Sequence, residues 1–277
     1  MKSYLFAYLL LCSNLLLSKS ILLNEAIANN QISIEVSGEG GHSGKSLKIK
    51  FLNQTKKDLE IKVPAGQIFH SQDSTMQDLM ITKGKVLALE KQQNRISKFY
   101  GMCIQANNSS PSVGSVFNLG ALATGSLLKV AEFIFHNRLY ENASAQSAIW
   151  VVTDGHRLEY IEDPKLAAFM AKTLGKERPE YTITHENNSA PGQPAFQYAP
   201  AKIEGVFNYS LAEDQKVSFG LFNEEGELVR SFFKNKAQER GIWKFDFYFE
   251  ISRLPKGKYS VRLTKGDIEI ERREVEF

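Results

Sequence analysis

Cysteine is almost missing from this sequence. Its 277 residues hold two, Cys12 and Cys103, and Cys12 falls inside a leader-like N-terminus. A disulfide scaffold is therefore excluded. Once the leader is removed, the mature chain has one thiol with nothing to pair with. A lone cysteine in an exported chain points to an intermolecular disulfide, a reactive thiol or a buried structural residue. Apolar runs are also short. The stretch over residues 4–17 is interrupted by Ser13 and Asn14, and no later segment reaches the roughly 18 apolar residues of a spanning helix. Charge of one sign is not in excess either. The balance of 34 basic against 31 acidic residues gives +3, or +2 without Lys2, Lys19 and Glu25 of the leader. That leaves no electrostatic case for nucleic acid or an anionic membrane.

Several catalytic signatures are absent. No HExxH pattern occurs, and His136, His156 and His185 are scattered, so no metal site is expected and no cofactor is implied. No Gly-x-Ser-x-Gly elbow is present for a serine hydrolase. Gly38-Glu39-Gly40-Gly41-His42-Ser43-Gly44 is rich in glycine but opens no helix, which makes it a hairpin loop and not a phosphate cradle.

What is present begins with an export signal. Met1-Lys2 precedes the apolar stretch, and Ala26-Ile27-Ala28 offers a small-x-small cleavage site, with a cut after Ser20 as the alternative. Leu11 stands where a lipoprotein signal needs a small residue before its cysteine, which argues against lipidation. The localisation expected is secreted, periplasmic or cell-surface, with no transmembrane segment.

From Ile32 to about Ile104 the pattern is β. Residues 46–52 and 59–63 alternate with period two, and Pro64-Ala65-Gly66 stops the second run. Shorter strands are expected at 80–81, 86–89 and 99–104. The middle is helical. Thr124 precedes Leu127, Leu128, Ala131, Ile134 and Phe135 at spacings of three and four. Ser144 starts a second helix that stops at Gly155. Asp163-Pro164 starts a third, an N-cap followed by proline at the first helical position, and Gly175 ends it. Residues 177–200 carry four prolines among Asn, Ser and Gly and read as a linker. After Ala201 the chain alternates again, with turns at Glu224-Glu225-Gly226-Glu227 and Leu254-Pro255-Lys256-Gly257, and residues 269–276 read as a final edge strand. The expectation is a mainly β chain with inserted helices. It comprises a signal (1–28), a β-sandwich with helices (29–176), a linker (177–200) and a small Ig-like β-sandwich (201–277).

Two segments carry the chemistry: Gly101-Met102-Cys103-Ile104-Gln105-Ala106 on a strand, and Ala145-Gln146-Ser147-Ala148-Ile149-Trp150 in the first turns of a helix. They resemble the thioester domains of bacterial surface adhesins. There, a cysteine in an aromatic/apolar-Cys-apolar strand joins a glutamine in a Thr-Gln-x-Ala-[Ile/Val]-Trp segment. Met102-Cys103-Ile104 matches the first element and Gln146-Ser147-Ala148-Ile149-Trp150 the second, with Ala145 in the threonine's place. The likeness covers about residues 33–160. The compact Cys-Gly-Glu-Gln motif of complement-type thioesters is absent, as is the adhesins' terminal anchoring signal.

The resemblance implies an internal thioester. The thiolate of Cys103 attacks the Gln146 amide, ammonia leaves, and an amine on a surface partner then attacks the thioester to form an amide bond. Such a site must orient sulfur against the amide carbon and keep water out. Trp150, at i+4 from Gln146, shares its helix face. Tyr100 and Phe99 add bulk beside the cysteine, and His156 is a candidate base. Two other readings stand beside adhesion by covalent capture. One is a non-covalent binding protein, since free cysteine is often a small buried hydrophobe. The other is a thiol-dependent acyl transferase using Cys103 and His156.

Overall fold

The alternation over the first hundred residues becomes two facing sheets. The protein is described by a computed structural model covering residues 20–41, 44–186, 193–194 and 196–277. The signal expected before residue 20 and much of the linker beyond Glu186 lie outside the described residues. In chain order the N-terminal unit runs β1 (Ile21–Leu22), α1 (Leu23–Ala28), β2 (Ile32–Glu39), β3 (Leu47–Asn53), β4 (Leu59–Val63), β5 (Gln67–Ser71), β6 (Leu79–Ile81), β7 (Lys85–Leu89), β8 (Asn94–Phe99), β9 (Gly101–Cys103) and β10 (Val113–Leu122). It continues with α2 (Gly125–His136), α3 (Ala143–Thr153), a 3-10 turn over Leu158–Tyr160, and α4 (Pro164–Leu174).

Seven strands form one sheet in the order β8-β3-β2-β10-β5-β6-β9, and β1-β4-β7 form a second. Between them lies a core that includes Phe51, Phe69, Phe99, Ile61, Leu87 and Cys103. The helices cover the other face of the β6–β9 end. There Met80 and Met102 pack with Val130, Ala131, Ile134, Ile149 and Met170. Strands β6 and β9 are thus buried on both faces. Period-two alternation sends Leu79, Ile81 and Cys103 to the sandwich side and Met80 and Met102 to the helix side.

The helix signals hold with small shifts. Asp163 accepts from the N–H groups of Lys165 and Leu166, Pro164 opens the helix, and Gly175 ends it in the left-handed region. The cap of α3 is Asn142, whose side chain accepts from Ser144 N–H, so the helix starts before Ser144. The glycine-rich stretch joins β2 to β3 as a hairpin, with Gly40, Gly41 and Gly44 at positive φ.

The leader boundary has a structural consequence. Ile21–Leu22 pairs in parallel with β4, and Leu23 and Ala26 are fully buried in the sandwich core. A cut after Ser20 keeps this element, whereas a cut after Ala28 removes it.

The C-terminal unit starts inside the expected linker. Strand β11 (Tyr181–His185) pairs antiparallel with β12 (Pro200–Leu211) because Ile183 and Ile203 alternate into a common core. The strands β13 (Gln215–Phe222), β14 (Leu228–Gln238), β15 (Gly241–Glu250), β16 (Lys258–Lys265) and β17 (Ile268–Glu276) follow. Two sheets, β11-β12-β15 and β14-β13-β16-β17, enclose Phe207, Phe219, Phe247, Val261 and Leu263, an Ig-like sandwich. At the start of β16 the Tyr259 hydroxyl donates to the Pro255 carbonyl (2.8 Å), the tyrosine corner of such sandwiches. No described helix is long and apolar enough to cross a membrane.

Candidate functional site at Cys103 and Gln146

Strand β9 is the last strand of its sheet, so one row of its backbone groups has no strand partner. In the ladder with β6, Thr82 N–H donates to Tyr100 O (3.0 Å) and Ile104 N–H donates to Asp78 O (3.1 Å). Alternation then turns the N–H and C=O of Cys103 away from β6, toward α3. The Gln146 side chain meets both groups. Cys103 N–H donates to Gln146 Oε1 (3.0 Å), and Gln146 Nε2 donates to Cys103 O (2.7 Å). The primary amide stands in for the missing strand. At the C-cap of the same helix, eight residues after Gln146, Asp154 Oδ1 accepts from Ala106 N–H (2.9 Å). Helix α3 therefore grips the edge of the sheet at two points.

The site is dry. Cys103 is fully buried, Gln146 is 4 % exposed and Trp150 is 5 % exposed. Trp150 packs in the same cluster as Cys103, as its position on the Gln146 face requires. Burial pushes the Cys103 thiol well above its ordinary pKa, so the resting group is a protonated thiol and not the thiolate the sequence suggests. The Cys103 N–H that holds Oε1 is a backbone donor already aimed at the oxygen where negative charge would develop in an attack on this amide.

The remaining sequence candidates divide. His156 packs its ring against Trp150 (5.9 Å between centroids), Phe196 (4.4 Å) and Tyr160 (5.9 Å), and its Nδ1 is buried without a partner. Burial lowers its pKa, with Asp154 opposing. Among the described residues no hydrogen bond joins it to Cys103 or Gln146, so it borders the pair through Trp150. Tyr100 lies elsewhere. Its hydroxyl donates to Glu141 (2.5 Å) and its ring packs on Tyr140, because it follows β8 at the bend into β9 and faces outward. Asp154, the C-cap of α3, is a second clamp. Its position eight residues after Gln146 was the available signal, since i and i+8 share a helix face.

The site is a glutamine-clamped, buried cysteine at a sheet edge, in a β-rich protein of two sandwich-like units. No family model matches the sequence. The chain is similar to an outer-membrane lipoprotein carrier protein of Hahella chejuensis, 28% identical over 120 residues that cover 36% of this chain and 57% of the relative. It thus spans little more than half the length of that curated relative.

Proposed function

We propose that this is an exported protein that captures an amine on a partner covalently, through a thioester between Cys103 and Gln146. The observation that carries the reading is the two-point contact of the Gln146 amide with Cys103 inside a water-excluded site. In forming the thioester, sulfur bonds to the amide carbon, and the C–N bond breaks. The thiol proton goes to the departing nitrogen, which leaves as ammonia. Because the thiol is protonated at rest, this transfer accompanies attack and does not precede it. Cys103 N–H stabilises the developing oxyanion on Oε1. An incoming amine then forms an amide with Gln146 and restores the thiol. The partner is an amine-bearing surface protein or ligand, and each molecule turns over once. The similarity to a lipoprotein carrier and the apolar leader both favour an exported location.

A second reading has its own support. Both the oxygen and the nitrogen of the Gln146 amide are engaged by Cys103's backbone and the thiol is buried and protonated, which is what a non-covalent binding protein with a structural glutamine clamp would show. Intact mass spectrometry of the mature protein, before and after methylamine, decides between them. Capture requires a mass short by one ammonia, a methylamine adduct on Gln146, and loss of both in Cys103→Ser and Gln146→Ala. A full-length mass with one thiol alkylated only on denaturation overturns capture in favour of the clamp.

A further inference from the structure

Tyr100 belongs to a different site. Three segments meet beside it: Lys45 from the β2–β3 hairpin, Lys83 from the β6–β7 connection with Lys85 at the start of β7, and Lys98 with Phe99 at the end of β8. They line a concave pocket of about 470 Å³. Its walls are set by the fold. At Gly84 a Cβ would stand 2.9 Å from Ala65 N, so the bend that carries Lys83 and Lys85 lies directly on the β4–β5 turn. Lys83 rests over the rings of Tyr100 (5.0 Å) and Tyr140 (4.2 Å), and Lys45 lies 5.8 Å from the Tyr100 ring. Lys85 donates to Ser97 Oγ (2.6 Å) and lies 5.4 Å from the Phe99 ring.

Neutralisation is incomplete. Lys98 pairs with Glu39, which Lys48 shares. The nearby carboxylate of Glu141 takes the Tyr100 hydroxyl. Among the described residues no carboxylate forms an ion pair with Lys45, Lys83 or Lys85. The fold therefore holds three ammonium groups around one hollow at a cost in mutual repulsion; burial, then the charges of Arg95, Lys45 and Lys83, lowers the pKa of Lys85. Like charges converging without a counter-ion are relieved by an anion from solution, and lysine is a common point-charge partner for phosphate. The volume is in the range of small-ligand sites and exceeds what one inorganic ion fills.

We infer that this pocket binds a phosphate monoester, its dianionic head held by Lys45, Lys83 and Lys85 and its organic group lying along Tyr100. This site is separate from the Cys103–Gln146 pair and its occupancy does not depend on a thioester. The test is calorimetric titration of the mature protein at low salt with inorganic phosphate, glucose 6-phosphate and inorganic sulfate, alongside sedimentation with phosphatidate vesicles. Glucose 6-phosphate should saturate one site and bind more tightly than phosphate or sulfate. Response to the vesicles alone assigns the monoester to a lipid headgroup, and response to the sugar phosphate assigns it to a soluble ligand.

The Lys45→Gln/Lys83→Gln double variant should weaken binding roughly tenfold or more, Lys98→Gln much less because Glu39 already holds that charge. Circular dichroism and the intact mass of both variants should match the parent, which separates loss of the pocket from misfolding and from any change at Cys103. No saturable binding to any probe, or equal binding in the double variant, overturns the assignment.

Discussion

Gln146 is the residue on which the most rests, and its structural and chemical roles can be separated. As long as Gln146 remains an amide, its side chain satisfies the N–H and C=O of Cys103, which would otherwise be buried without partners. An orphaned buried polar group costs about 1–3 kcal/mol. In a Cys103→Ala background, where no thioester can form, Gln146→Leu should therefore destabilise the N-terminal unit by about that amount for each orphaned group. The chain has two tryptophans, Trp150 in this unit and Trp243 in the other, so urea unfolding followed by fluorescence in a Trp243→Phe background reports the right transition. An unchanged midpoint would remove the clamp. The pairing of Cys103 with Gln146 was legible from two short motifs in order. The backbone as the glutamine's partner was not, because residue type alone does not say that β9 is an edge strand. Tyr100 was misplaced for a related reason: proximity in sequence to Cys103 does not fix its side of the sheet once the strand bends between β8 and β9.

At the scale of the element, α3 acts as the strand that the sheet lacks. A helix can hold a strand edge only where side chains reach its backbone, and Gln146 and Asp154 do so at Cys103 and Ala106. Asp154→Ala leaves Ala106 N–H without its acceptor. The expected outcome is faster amide hydrogen exchange at Ala106, with protection at Met80 in the β6 ladder retained, and a stability loss of about 1–2 kcal/mol. Because both clamps hold one segment, combining Asp154→Ala with Gln146→Leu should not give additive losses. Exchange at Ala106 equal to the parent's would show that the contact does not hold the strand. The helices were legible because capping residues are local: Asp163-Pro164 and Gly175 mark α4 without any knowledge of its neighbours. Strand β10 was not. It sits in the middle of the seven-stranded sheet, yet Phe117 is its one buried residue and Gly120 interrupts it. That glycine is required by close approach, since a Cβ there would stand 2.6 Å from the His70 ring. Composition thus reads as loop where tertiary crowding demands a small residue.

For the whole molecule, the informative region is the junction of the two units, where a linker was expected. The prolines and asparagines of 177–200 signal a break, but Tyr181–His185 is drawn into the C-terminal sheet by a single alternating pattern too short to outweigh them in the sequence. That strand brings His185 to an aromatic cluster with Tyr160 (4.4 Å), Phe196 (5.2 Å) and Tyr198 (5.5 Å), and His156 and Trp150 reach the same Phe196 ring. Nδ1 of His156 and Nε2 of His185 are buried without partners. Burial, then the charges of His156 and Lys256, lowers the His185 pKa from 6.5 to about 4. Burial lowers His156 too, against the pull of Asp154. Between about pH 6.5 and 4 the unfolded chain binds protons that the folded chain refuses, so stability rises with pH across that window. The contribution is fully present above 6.5, is lost as the pH falls toward 4, and changes no further below it. Thermal unfolding of the parent should accordingly shift to lower temperature through this interval. His185→Phe, which keeps a ring among Tyr160, Phe196 and Tyr198 but cannot take a proton, should flatten the dependence, and His156→Phe should flatten it further. Carboxylates elsewhere titrate in both parent and variants, so the difference between their pH profiles isolates the two histidines. Parallel profiles would mean that the junction opens to water before either histidine is protonated, and that the two units are not joined through this cluster.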